Sequence, residues 1–515
     1  MKMHRKIDPA IVALVLALLA GGYLRLWDLT NQSLFLDEGF TLMVASKPWP
    51  QMIAQIVYHD FHPPVFYALT HWAIERLHWQ VWDYRYLTAP FGLLTIVATW
   101  AIARRLFGPV AAAIAAFVVA LEPTLVDWDR LFRMYSVLTA LCTTSWWLLL
   151  VALDQTGRRR VAAWIAYGAI AVLLPYLQYL GAVTLLCQGA YSLADLRKRW
   201  PILASCAAAV IALVPWAWAI RIQYPHGGYV AGGAGGVPIF WPQLARDVLL
   251  SGLPVAWGGQ LAFAWSVNVF LALLAILAFV RWPRTIVPYW LGVAIVQVAA
   301  TLFTGKVLIV PRYMLPVMPA LAIAVGATAA WLLAGRLRVL GAALAIGVPA
   351  LLLVCSADIV WDPFYQLTDW YLVNLVVLQN ERTSDAMCFD QGFPYIVVGD
   401  FTAFRGHPAV GPSMPSDLPF TLSWIKKHSA DRIWYIENQS YYPDPHKKVK
   451  AFLDKTRRVV RVWSESRADI SDIVNIILYT AAVPARHPSP PANRDSSHIH
   501  ASSARFTSVE GVKRA

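Results

Sequence analysis

The chain has 515 residues, 58% hydrophobic and only 14% charged, with 24 tryptophans and a net charge of +13. Soluble globular domains carry about 25% charged residues, so composition excludes an ordinary soluble protein. The basic residues fall in short clusters between apolar runs, which excludes a groove that tracks nucleic-acid phosphates.

The apolar runs are about 18 to 22 residues long, the length of a helix that crosses a bilayer. They predict a polytopic α-helical membrane protein with about eleven transmembrane helices, near 8–27, 86–103, 109–123, 134–154, 161–178, 180–195, 201–220, 258–280, 285–303, 313–334 and 339–356. Tyr23, Leu24, Arg25 and Trp27 follow the first run where a cleavable signal would place small residues, so it reads as a retained span. Lys2, Arg5 and Lys6 precede the first span. Arg104-Arg105, Arg158-Arg159-Arg160, Arg197-Lys198-Arg199, Arg281 with Arg284, and Arg336 with Arg338 follow alternate later ones. All these clusters fall on one side, which the positive-inside rule makes the cytoplasm. Cys142, Cys187 and Cys206 sit in apolar runs as small hydrophobes. Only Cys355 and Cys388 could pair, and their spacing does not call for it.

The chemistry-bearing residues gather on the opposite side, in outer loops at 28–85, 122–133, 221–257 and 304–312. The first loop carries "SLFLDEGFT" and then "VYHDFHPPVFYALTHW". Pro64 suits the first turn of a helix, which predicts an amphipathic interfacial helix over 65–77. Asp37 and Glu38 would then lie near a corner formed by His59, Asp60 and His62. Ionisable residues at membrane depth are functional candidates. The second loop, "EPTLVDWDRLFR", offers Asp127, Asp129 and Arg133; the fourth offers Lys306, Arg312 and Tyr313. For Arg133 and Arg312 taken alone, snorkelling at a span end accounts for the residue equally well. The glycine-rich "GGYVAGGAGG" of the third loop lacks the strand and helix of a dinucleotide site and reads as a mobile cover. Beyond the last span, residues 357–483 have soluble composition, with strand-like "DAMCFDQ", "DRIWYIE", "RVVRVWS" and "DIVNIILYT". They predict a small extracytoplasmic α/β domain, and the Pro/Ser-rich 484–515 a disordered tail.

"FLDEGFT", "HDFHPPVFYALTHW", "RLFRMYSVLTAL", "LPYLQYLGAVTLL" and "PRYMLPVMPALAI" occur in that order between successive spans. Together they resemble the GT-C class of membrane glycosyltransferases. The likeness is to the branch of protein O-mannosyltransferases, the lipid A aminoarabinose transferase and the RgtA/B/C/D-like enzymes, over about residues 8–480. The resemblance implies transfer of a sugar from a polyprenyl-phosphate donor to an acceptor hydroxyl on the outer face of the cytoplasmic (inner) membrane. The acceptor would be a glycolipid, glycan or protein. It implies Asp37 as general base, worth about 10²–10⁴ in rate, with Glu38 orienting it or the substrate. Arg312, Lys306 and Arg133 would stabilise the leaving phosphate. His59, Asp60, His62, Asp127, Asp129 and Tyr313 would line the substrate pocket, Asp129 being preferred to Asp127. A single displacement with one base inverts the anomeric centre, whereas a nucleophile-plus-acid pair would retain it.

Two positions depart from the family pattern: Leu131 stands where an acid is expected, and Gln178 where relatives often have His. A divalent metal remains open, because His59, Asp60 and His62 match no standard spacing. The rival readings are a flippase of lipid-linked sugars and a non-catalytic membrane scaffold. The first would need charged residues inside the spans and paired repeats; the second leaves the acids of the first loop unexplained.

Overall fold

A computed structural model describes residues 8–30, 34–80, 82–224, 279–304, 311–361, 370–390, 407–412, 417–428, 430–437, 446–465 and 474–481, together with 273, 276, 277 and 444. Most of the expected span at 258–280, most of the 221–257 loop with its glycine-rich stretch, Lys306 and the 484–515 tail lie outside the described residues. The chain divides into two units, Met1–Leu367 and Thr368–Ala515.

The helices of the first unit, in chain order, are α1 Pro9–Leu26, α2 Leu36–Ala45, α3 Trp49–His59, α4 Val65–Leu77, α5 Ala89–Phe107, α6 Pro109–Leu121, α7 Pro123–Asp129, α8 Met134–Asp154, α9 Gly157–Leu177, α10 Gly181–Leu193, α11 Leu196–Leu213, α12 Ala217–Gln223, α13 Ile286–Thr304, α14 Pro311–Met314, α15 Met318–Ala334 and α16 Arg338–Trp361. Among the described residues, eight helices are long and apolar enough to cross a membrane, or nine if α6 and α7, bent by 54°, form one span. The helix near 180–195 is α10, whose 13 residues rise only about 20 Å.

Local chemistry sets the ends. Asp8 caps α1 by accepting from the Ala10 amide at 2.9 Å, with Pro9 in the first turn. Gly108, at φ +88°, turns α5 into α6, which Pro109 opens. Glu122 caps α7 and Pro123 starts it, which makes the bend.

At the centre lies α6, whose Ala111, Ala112, Ala115, Ala116 and Val119 are fully buried. It packs against α1, α5 and α15. Gly326 of α15 faces the Ala111 carbonyl so closely that a Cβ there would overlap it. Small residues allow such close approach where hydrocarbon surrounds the bundle. On the outside of α1, Ile11, Val15, Leu16 and Leu19 are exposed, as a lipid-facing surface requires. Arg104 at the end of α5 pairs with Asp8, and Arg105 pairs with Asp154 at the end of α8. One end of the bundle therefore collects basic residues, while the far ends of α1 and α8 carry the groups described below.

Among the described residues, the second unit holds a five-stranded sheet in the order β2-β1-β3-β5-β4. Its strands are β1 Ala386–Phe389, β2 Ala409–Val410, β3 Arg432–Glu437, β4 Arg457–Glu465 and β5 Val474–Ala481. β1 pairs in parallel with β2 and β3, whereas β5 runs antiparallel to β3 and β4. Cys388, Ile433, Tyr435, Ile477 and Tyr479 form a core with Ile425 and with Val449 and Leu453, which come from the helices Leu418–Lys427 and Lys448–Thr456. All five cysteines are free thiols, with Cys355 in α16 and Cys388 in β1.

Candidate active site

Asp37 and Glu38 both sit in the first turn of α2, where the helix dipole favours negative charge. Successive helical residues point about 100° apart, and the two carboxylates diverge accordingly. Glu38 is wholly buried. It accepts from Arg85 Nε at 2.8 Å and Nη2 at 2.6 Å, from the Phe132 amide at 2.6 Å, and reaches back to the Phe35 amide at 2.7 Å. The Asp37 side chain is 39% exposed, with Arg133 Nη2 3.8 Å from its Oδ2. Arg133 Nη1 donates to the Asp37 carbonyl at 3.0 Å and to the Thr41 hydroxyl. The anionic groups around Arg133, Asp37 foremost, outweigh its burial and hold the guanidinium charged.

Three more arginines build the frame. Arg25 of α1 pairs with Asp129 at 2.8 Å and donates to the Ala120 and Val119 carbonyls of α6. Arg130 donates to the Leu24 and Trp27 carbonyls, each at 2.8 Å. Arg85 adds the Leu29 carbonyl at 2.9 Å. Gly92 leaves room for the Arg25–Asp129 pair, because a Cβ there would overlap the Asp129 carboxylate. Asp129 is thus committed to the frame, while Asp127 stays half-buried near Arg130.

The loop between α3 and α4 supplies a second polar group. Asp60 Oδ1 meets His62 Nδ1 at 2.8 Å, and Oδ2 accepts from Tyr67 at 2.6 Å. Burial opposes ionisation of Asp60, but His62, Tyr67 and the Phe61 amide together hold its carboxyl below the usual range. Tyr67, whose own ionisation burial suppresses, also lies in electrostatic reach of Arg133. It thus stands between Asp60, which it bonds, and the Arg133–Asp37 pair. Gln223 of α12 clamps the loop by donating to the Ile56 and His62 carbonyls, and Tyr179 donates to Gln223. Gln178 is buried and accepts from the Tyr179 amide. His59 is exposed at the end of α3.

Aromatic rings join Asp37 to Arg312. Tyr135 lies in electrostatic reach of Asp37, Arg133, Arg312 and Tyr313. Its ring contacts Trp128 at 5.3 Å and Tyr313 at 6.0 Å. The Arg312 guanidinium stands 5.7 Å from the Trp128 ring centre and 5.4 Å from that of Tyr313. Asp37, Asp60, His62, Arg133, Arg312 and Tyr313 therefore belong to one connected layer, whereas Glu38 and Asp129 face into its frame.

Among the described residues, no three His, Cys, Asp or Glu side chains group as metal ligands; Asp60 and His62 are spent on each other. Sequence reasoning missed Tyr67, Thr41, Tyr135, Trp128, Arg25, Arg85 and Arg130. The pattern "DRLFRMY" hinted at several of them, but Arg25 and Arg85 carry no local signal.

Residues 61–218 match the family model described as dolichyl-phosphate-mannose-protein mannosyltransferase. Comparison with curated proteins returns no match. Apo ArnT from Cupriavidus metallidurans is 15% identical, over 91% of this chain and 98% of that one, with a TM-score of 0.54. The same protein bound to undecaprenyl phosphate is 14% identical over 91% and 97%, with a TM-score of 0.52. The oligosaccharyltransferase AglB from Archaeoglobus fulgidus, in complex with an inhibitory peptide and a dolichol-phosphate, is 11% identical over 92% and 75%, with a TM-score of 0.51. At such identities the likeness is one of fold, and the fold is that of the GT-C membrane proteins. The family match covers His62 and Arg133 of that layer, with Tyr67, Trp128 and Tyr135 that connect it and Arg85 of its frame, whereas Asp37, Asp60, Arg312 and Tyr313 lie outside the match. The chain is thus similar to the mannosyltransferase family over residues 61–218 and to the GT-C membrane glycosyltransferases in fold over most of its length.

Proposed function

We propose that the protein transfers one sugar from a polyprenyl-phosphate donor to an acceptor hydroxyl, inverting the anomeric centre, with Asp37 as the general base. The observation that carries this reading is the Asp37 carboxylate. It stays accessible in a layer whose other central acids, Glu38, Asp60 and Asp129, are buried in hydrogen bonds. The acceptor hydroxyl gives its proton to Asp37 as its oxygen bonds the anomeric carbon. The bond from that carbon to the phosphate oxygen breaks, and the phosphate leaves as an anion.

Arg312 stabilises that charge, since a guanidinium presents a fork matched to phosphate oxygens; Lys306 joins it. Arg133 holds the Asp37 backbone and carboxylate in place, and Glu38 orients α2 through Arg85. Tyr313, Asp127, His59, Asp60 and His62 line the substrate side, with Asp127 better placed than Asp129, which Arg25 occupies. The basic helix ends opposite this layer support an outer-face site in the inner membrane. The acceptor is a glycolipid, glycan or protein, and no step here calls on a metal.

The test compares envelope glycans and polyprenyl-phosphate sugars in cells carrying wild-type, deleted or Asp37→Asn protein. The expected result is loss of one glycan and accumulation of its lipid-linked donor on the outer leaflet in both mutants. Normal glycan with Asp37→Asn overturns the assignment. Accumulation on the cytoplasmic leaflet makes the protein a flippase.

A further inference from the structure

His62 is 5% exposed, and its two ring nitrogens have different fates. Nδ1 faces Asp60 Oδ1 at 2.8 Å. Burial opposes ionisation of Asp60, but the electrostatic attraction and hydrogen bond of His62, with the hydrogen bonds of Tyr67 and the Phe61 amide, hold its carboxyl low, so its oxygens only accept. His62 must therefore donate through Nδ1. That leaves Nε2, which is buried with no hydrogen-bond partner among the described residues.

Its neighbours are already committed elsewhere. Tyr67 of α4 bonds the same carboxylate. Tyr179, between α9 and α10, donates to Gln223. Arg133, ahead of α8, donates to the Asp37 carbonyl and to Thr41. An unsatisfied buried polar atom costs about 1–3 kcal/mol and calls for an explanation. Phe61 stacks on the ring at 4.3 Å and Gln223 fixes the His62 carbonyl, so the ring is held in place. A sugar-transfer site supplies the missing partner in abundance, as hydroxyl groups, which both donate and accept.

We propose that His62 Nε2 forms a hydrogen bond with a substrate hydroxyl, on the transferred sugar or on the acceptor, and so selects the substrate beside Asp37. The proposal rests on the glycosyl-transfer reading above.

The test uses the purified full chain in lipid nanodiscs, with polyprenyl-phosphate sugars extracted from cells lacking the protein as donors. His62→Ala should lower kcat/KM by about tenfold, the value of one hydrogen bond, mainly through KM. A raised donor KM places the hydroxyl on the transferred sugar, and a raised acceptor KM places it on the acceptor. His62→Gln, whose side-chain amide can still hydrogen-bond a hydroxyl, should recover part of the loss. Unchanged kinetics in His62→Ala overturn the proposal. If His62→Ala does not fold, His62→Phe, which keeps a ring of similar size without Nε2, decides: wild-type kinetics there overturn the proposal. A wild-type protein that transfers nothing from any extracted donor overturns the glycosyl-transfer reading, and the proposal falls with it.

Discussion

Asp37 and Glu38 are adjacent in sequence, yet one meets the outside and the other meets Arg85. Their substitutions should therefore fail in different ways. Asp37→Asn should lose about 10²–10⁴ in transfer rate with a smaller loss of melting temperature than Glu38→Gln, because its partly exposed carboxylate meets Arg133 only at 3.8 Å. Glu38→Gln should instead destabilise the fold by about 3–5 kcal/mol, the cost of leaving a buried partner charge unpaired. Differential scanning fluorimetry in detergent beside a transfer assay separates the two. Asp60 adds a pH dependence. Its folded pKa is depressed, so its contribution to stability is present above the unfolded carboxylate value of about 3.9 and is lost as pH falls through the folded value. Asp60→Asn should flatten that acid limb in a series of melting curves. At this scale the sequence told which residues carry chemistry but not which way they face. Glu38 finds Arg85 at 47 positions' distance and Phe132 at 94. Arg25 and Asp129 are 104 apart. No local pattern encodes such pairings.

The elements were more legible. Helix α4 spans Val65–Leu77, where proline geometry and amphipathic spacing place it, because both signals act within one turn. The Gly108–Pro109 corner and the Glu122–Pro123 bend likewise follow from residues that fix their own backbone. Close helix approach is not local. Gly92 gives room to an ion pair between α1 and α7, and Gly326 to a backbone carbonyl of α6. Both glycines look ordinary in sequence. Gly92→Ala should force the Arg25–Asp129 pair apart and destabilise the protein by about 1–3 kcal/mol. Gly326→Ala should do the same at the α6–α15 contact, where the neighbour is backbone and cannot yield. Gly347, with open space around its Cβ position, is the control: Gly347→Ala should leave the melting temperature unchanged or raise it, since alanine favours a helix.

For the whole molecule, hydropathy and charge asymmetry carry most of the topology. The six basic clusters predict which helix ends face the cytoplasm, and one of them, Arg104-Arg105, pairs with Asp8 and Asp154 at one end of the bundle. This orientation has a direct check by thiol labelling with a membrane-impermeant maleimide, since four of the five native cysteines are buried and the fifth is half-buried. Arg159→Cys should react only after the membrane is opened, whereas His78→Cys should react in intact spheroplasts. The reverse pattern would put the site on the cytoplasmic side. Span count is less legible, because a 13-residue helix such as α10 and a bent pair such as α6 and α7 read as full spans when hydropathy alone is summed.

By itself, the sequence determined that this chain lives in a membrane, which helix ends carry positive charge, and that acids and arginines gather at the other ends. Each of these follows from short-range composition, because the cost of burying charge in hydrocarbon acts on a residue wherever the chain goes. Tertiary structure alone decided that Asp37 keeps an accessible carboxylate, that Glu38 and Asp129 are spent on Arg85 and Arg25, and that Tyr135 lies in electrostatic reach of both Asp37 and Arg312. Those outcomes depend on which distant groups arrive within hydrogen-bonding distance, and only the packing of α1, α5, α6 and α8 brings them there.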